Sequence, residues 1–109
     1  MEIISFMDRT PDVEVKFRFN GTRKNSVMSG YRPDRLIKDD YLTCGVHNYY
    51  KEGFIMPNET VSGTITFIAP ESYPHSLWIG KIINIQEGDR IVGTAEIIKI
   101  HNPILDIEI

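Results

Sequence analysis

The stretch Val13-Glu14-Val15-Lys16-Phe17-Arg18-Phe19 alternates apolar and charged residues without a break. Successive side chains of a strand point to opposite faces, so two valines and two phenylalanines share one face and three charges the other. Asn20-Gly21 follows with turn chemistry, and a polar loop runs on to Ser29-Gly30 before Pro33 fixes the backbone again. A second alternation runs from Val61 to Ile68. Val61, Gly63, Ile65 and Phe67 share one face, Ser62, Thr64, Thr66 and Ile68 the other, and Ala69-Pro70 stops the run. Branched Cβ atoms pack well on a pleated surface and lose rotamer freedom in a helix, which favours the strand.

The last third reads as a hairpin. Lys81 to Gln86 and Ile91 to Ile100 flank the four-residue turn Glu87-Gly88-Asp89-Arg90. Gly93 inside the second arm predicts a bend or a close backbone approach. After Pro103, Leu105, Ile107 and Ile109 alternate with Asp106 and Glu108, which predicts a short extra edge strand in the tail. No segment of a dozen residues has helical periodicity, and there is no internal repeat. Short strands separated by turn signals predict an all-β barrel or sandwich.

The 109 residues fit one domain, and a charged share of 25% with 41% apolar residues is that of a folded globular chain, not a disordered one. No apolar run approaches the roughly 20 residues a membrane helix needs. The N-terminus has an acid at Glu2, and its apolar run ends at Asp8, unlike a secretory signal. The single cysteine, Cys44, offers neither an internal disulfide nor a metal site, so a cytoplasmic location is expected.

Catalysis finds little to work with. No Gly-x-Ser-x-Gly turn accompanies the three histidines, and although His47 is three residues from Cys44, that spacing on a strand puts the two on opposite faces. The reading preferred here is a half-buried thiol beside a solvated histidine. Asp39-Asp40 suits a solvated turn better than Mg²⁺, no metal motif supports it, and a phosphate-cradling loop is absent. A non-enzymatic chain without cofactor, metal or nucleotide hydrolysis is expected. Tyr49-Tyr50, with Phe54 or Trp78, offers stacking surfaces, although aromatics in a small β protein more often anchor its core.

The charge distribution is more informative. Between residues 16 and 38 seven basic residues face one acid, Asp34, a local charge of +6 that leaves −9 for the rest of a chain of net charge −3. Lys16, Arg18, Arg32, Arg35 and Lys38 suit contact with a phosphate backbone; the same residues also suit a solvated strand face that guards an edge.

Gly30-Tyr31-Arg32-Pro33, Met56-Pro57 and Glu87-Gly88-Asp89-Arg90-Ile91-Val92-Gly93 occur in an order and spacing that resembles the C-terminal β-barrel domain of elongation factor Tu. The similarity spans roughly residues 13–100. It implies a closed antiparallel barrel of about six strands, with residues 1–12 an N-terminal extension and 101–109 a tail of one single domain. In that family the domain is not catalytic, meets the T-stem backbone of aminoacyl-tRNA and contributes to contact with the nucleotide-exchange factor. Thr43 and Gly88 match family positions that meet the tRNA backbone, and Lys38 matches a basic position. Asp34, Ala69 and Asp89 depart from the pattern, the first adding an acid and the second removing a phosphate contact.

The GTPase domain and second barrel of the factor are missing, so the chain is expected to be a free-standing relative. Two functions follow. One is a module that binds tRNA, other RNA or a translation-related protein through Lys16, Arg18, Arg32, Arg35, Lys38, Thr43 and Gly88. The other is a protein-binding inhibitor or immunity-type protein that captures its partner through a factor-like surface. Convergence of the basic residues on one face favours the first. Convergence of Glu71, Glu87, Asp89, Glu96, Asp106 and Glu108 favours a basic protein partner.

Overall fold

A computed structural model describes the backbone of residues 10–38 and 41–107, and the side chains of these residues outside 34–44. The chain is all-β. Six strands form an antiparallel, strongly curled, barrel-like sheet: β1 (Val13–Phe19), β2 (Asp34–Lys38), β3 (Tyr41–Tyr49), β4 (Thr60–Phe67), β5 (Ile82–Glu87) and β6 (Arg90–Ile100). β1 pairs with β4 and β6, and β2 pairs with β3 and β5. The pairs β3–β4 and β5–β6 complete the order β1-β4-β3-β2-β5-β6.

The alternation of β1 maps onto the interior. Val13, Val15, Phe17 and Phe19 are buried, whereas Arg18 is exposed and Glu14 and Lys16 are half-covered. Ile65 and Phe67 of β4, Ile83 and Ile85 of β5, and Val92, Ala95 and Ile97 of β6 meet them in one core. Burying a side chain such as Phe17 contributes about 2–3 kcal/mol. Thr64 and Thr66, on the other face of β4, are also buried.

Two glycines set how closely strands approach. A Cβ on Gly63 would stand 2.1 Å from the Asn48 carbonyl oxygen of β3, and one on Gly93 would stand 2.5 Å from that of Arg18. Gly93 therefore marks the close approach expected of it, at the point where β6 passes the end of β1.

A turn device recurs before β2, β4 and β5. In each, a fully or nearly buried residue (Val27, Ile55, Leu77) is followed by an exposed large one (Met28, Met56, Trp78). The N–H three positions on then closes a turn onto that exposed residue's carbonyl: Tyr31 to Met28, Glu59 to Met56 and Lys81 to Trp78, each at 3.1 Å. Gly30 and Gly80 occupy the third turn position with φ of 102° and 92°, as a type II turn requires. In the middle turn Pro57 supplies the fixed φ of the second position. Each turn then docks on a neighbouring strand, through His47 of β3, Phe19 of β1 and Ile97 of β6 respectively. The device has no common sequence beyond size and polarity, so it is invisible as a repeat.

The hairpin between β5 and β6 is tighter than expected. Glu87 and Arg90 pair across it, so the turn proper is Gly88-Asp89, with Gly88 at φ 62°. The expected tail strand is replaced, over its described part, by a 3-10 turn at Pro103–Leu105 that buries Leu105, followed by a single parallel bridge from Asp106 to Leu77. Pro103 fixes φ where the turn begins, and the Asn102 side chain accepts a hydrogen bond from the Ile104 N–H. Buried Asp12 ties this region to the sheet: its Oδ2 accepts the Phe67 N–H at 2.7 Å and its Oδ1 accepts the Asn102 side-chain N–H at 2.9 Å.

Candidate functional site

The strand order separates the basic residues that the chain holds close together. Lys16 and Arg18 belong to β1, whereas Arg35 and Lys38 belong to β2, which pairs with β3 and β5 and not with β1. On the β2 side, Arg35 stands opposite Thr43 of β3, and Asp34 opposite Gln86, two positions before Gly88. Arg32 is exposed just ahead of β2. Along the backbone, Arg35 is thus in register with Thr43 on one side and with Ile85 of β5 on the other, Lys38 lies farther along β2 opposite Tyr41, and Lys16 and Arg18 are on a different strand. The acids are likewise spread over several elements: Glu87 and Asp89 belong to the β5–β6 hairpin, Glu96 to the middle of β6, Asp106 to the bridge after Leu105 and Glu71 to the 3-10 turn after β4. Asp39-Asp40 and Glu108 lie outside the described residues.

Acids hold several of the cations. The Arg18 guanidinium donates to Glu96 at 2.9 Å, and Lys51 Nζ to Glu59 at 2.6 Å. Lys16 stands directly across from Glu96 on β6.

Glu87 organises the densest polar group. Its Oε2 accepts from Arg23 Nε at 2.7 Å and from the Tyr31 hydroxyl, and its Oε1 from Arg90 at 3.2 Å. The Arg23 guanidinium lies 4.9 Å from the Tyr31 ring centre. Burial alone would raise the Glu87 carboxyl, but the hydrogen bonds from Tyr31 and Arg23 outweigh it and hold the group below the usual carboxylate range. Burial, followed by the hydrogen bond to Glu87, holds the Tyr31 hydroxyl well above the usual phenol range. This group braces the turn before β2 against the β5–β6 hairpin and consumes Arg23, one of the basic run. A Tyr and a Glu 56 positions apart carry no local signal of such a partnership.

The histidines stand apart from one another. His47 is fully buried, which corrects the solvated position expected for it. Its ring stacks 4.4 Å from Phe17 and shares a 2.9 Å hydrogen bond, through Nδ1, with the Tyr49 hydroxyl. It faces inward because it is in register with Ile65, a core residue of β4. His75 Nδ1 meets the Asp106 carbonyl at 2.9 Å, and His101 Nε2 lies 3.9 Å from Glu14. The Cys44 side chain lies outside the described ones. Among the described residues, no three His, Cys, Asp or Glu side chains group as metal ligands, and no helix is long and apolar enough to cross a membrane.

Exposed apolar side chains do gather. Val27 and Ile55 exchange two backbone hydrogen bonds, at 2.9 and 2.6 Å, and both point into the core. Their neighbours Met28, Phe54 and Met56 therefore point outward together, each about half exposed or more. A depression of about 330 Å³ beside them is lined by Met28, Tyr49, Tyr50 and Lys51 among others. Of the aromatics weighed for stacking, Tyr49 is core, and Tyr50, Phe54 and Trp78 are exposed. No family model matches the chain.

Proposed function

We propose that the chain is a non-enzymatic binding module, a closed six-stranded barrel of the elongation factor Tu C-terminal type, that works by holding a protein partner. The observation that carries this is the contrast between the two surfaces. The basic run is divided between β1, the loop after it and β2, and two of its members, Arg18 and Arg23, are held by Glu96 and Glu87. Met28, Phe54 and Met56 form an apolar cluster beside a depression. Aromatic and methionine side chains are what the centre of a protein interface is made of. The barrel reading is supported by the positions of the resembling elements. Gly30-Tyr31-Arg32-Pro33 leads directly into β2, Met56-Pro57 turns into β4, and Glu87 to Gly93 makes the β5–β6 hairpin.

Contact with tRNA or other RNA is the second reading. It is favoured by the register that sets Arg35 opposite Thr43, with Arg32 exposed just ahead of β2. The Gly88 backbone is open, with nothing within 4 Å of the place a Cβ would take.

A titration with bulk tRNA at low and at physiological salt separates the two. Protein binding through the apolar cluster predicts no affinity for tRNA tighter than the roughly 1–100 μM of non-specific electrostatic contact at physiological salt. Submicromolar binding with a steep salt slope, lost in the Arg32→Ala Lys38→Ala double variant, establishes the RNA reading and overturns the first. For the protein partner, a photo-crosslinking residue at Phe54 is expected to give a discrete adduct in cells that one at Lys16 does not.

A further inference from the structure

A second exposed apolar surface lies at the other end of the strands. The turn Trp78-Ile79-Gly80-Lys81 docks on β6 through Gly80 N–H to Ile97 O and Ile97 N–H to Lys81 O, both at 2.8 Å. Ile97 points into the core, and its neighbour Ile98, the extra residue of a bulge against Glu14 and Val15, stands outside next to Ile79. Ile82 projects outward across from Glu96. Trp78 and Ile79 in turn line a groove of about 460 Å³ with Asp106 and Ile107. Trp78, Ile79, Ile82, Ile98 and Ile107 are 45–62% exposed. Together they make a contiguous patch on the order of 500 Å², near the top of what the largest patch on a monomer shows.

We infer that this surface is a two-fold interface between two copies of the chain. Area is the first argument. A standard interface covers about 800 Å² on each partner, a little over half of it apolar, and the patch supplies an apolar centre of that size. Charge is the second. The rim carries Lys81 and Lys99 together with Glu96 and Asp106. A two-fold contact brings the same patch against itself, so a rim with both signs can match its own copy, whereas a uniformly charged partner would meet repulsion somewhere along it. The surface is separate from the Met28, Phe54 and Met56 cluster, so it stands or falls independently of the partner proposed there.

Trp78 is the only tryptophan of the chain and lies in the patch, so its emission reports on this surface alone. Sedimentation equilibrium and tryptophan fluorescence are followed over the same dilution series, from about 200 μM down to 0.5 μM. The expected result is a dimer that dissociates on dilution with a constant on the order of 10 μM, and a red shift of Trp78 emission over the same range. Ile82→Glu and Ile98→Glu, both at exposed positions, are each expected to weaken association at least tenfold with an unchanged circular dichroism spectrum; Phe54→Glu should leave it within twofold. A wild-type chain that is monomeric throughout overturns the inference. So does a dimer whose dissociation leaves Trp78 emission unmoved, and so does one retained by the Ile98→Glu variant.

Discussion

Glu87 accepts hydrogen bonds from three side chains, Arg23, Tyr31 and Arg90, that come from two separate parts of the chain. Its carboxyl titrates below its ordinary range in the folded protein. The stability it contributes is therefore complete above the unfolded value, about 4.3, and is lost as the pH falls through the folded one. Tyr31 has the opposite sense. Its hydroxyl is held above the usual phenol range, so its contribution is complete below about pH 10 and is lost only as the pH rises towards the folded value. Glu87→Gln keeps the shape but not the charge. It is expected to lower stability at pH 7 by about 1 kcal/mol, a charge-assisted bond discounted for partial exposure. It should also flatten the dependence of the urea midpoint on pH below about 5. A variant whose acid limb overlays that of the wild type shows that other carboxylates set it.

At the scale of elements, glycines that look alike in the chain serve different needs. Gly63 is a packing requirement, because any Cβ there collides with the Asn48 carbonyl. Gly30 and Gly80 have open space around them and are needed only for their positive φ. Gly63→Ala is thus expected to cost about 3 kcal/mol, at the high end of overpacking, by forcing β3 and β4 apart. Gly30→Ala should cost about 1–2 kcal/mol from backbone strain alone. Chemical denaturation of the two variants gives the order directly, and an equal or reversed cost refutes the distinction. Hydrogen exchange adds a spatial check: faster exchange at Tyr49 and Gly63 in the first variant, and at His47 in the second.

The whole molecule explains what could be read from the chain and what could not. β1 was legible because every second residue meets the core and the rest do not, which writes the period of the strand into Val13 to Phe19. β4 was legible from its β-branched residues, although both of its faces are covered from Gly63 on, and Gly93 because only a glycine tolerates so close a neighbour. β3 was opaque: its inward positions include His47 and Tyr49, polar residues that bond to each other instead of to water. The tail misled because Leu105, Ile107 and Ile109 alternate, yet Pro103 bends the chain and a lone bridge to Leu77 replaces a ladder. The basic run could not be read as a surface at all. Lys16 and Lys38 are 22 positions apart in the chain, but a loop and a crossing of the sheet lie between them. Nor do the partners of Arg18 and Arg23, on β6 and at the end of β5, leave a trace near them.

The placement of β1 between β4 and β6 bears on how the chain acquires its structure. Arg18 and Glu96, which bond diagonally between β1 and β6, stand 78 positions apart. The β5–β6 hairpin can form within microseconds from its own residues, but β1 has no local partner and must wait for both neighbours to arrive. The cost of closing so long a loop falls before the contacts that reward it, which places refolding in the milliseconds-to-seconds range of non-local β topologies. During synthesis the apolar face of Val13, Val15, Phe17 and Phe19 leaves the ribosome long before Ala95 and Ile97 can cover it. A stopped-flow trace from urea should show hairpin signals ahead of burial at β1. Nascent chains halted before residue 90 should be the ones that engage chaperones or aggregate.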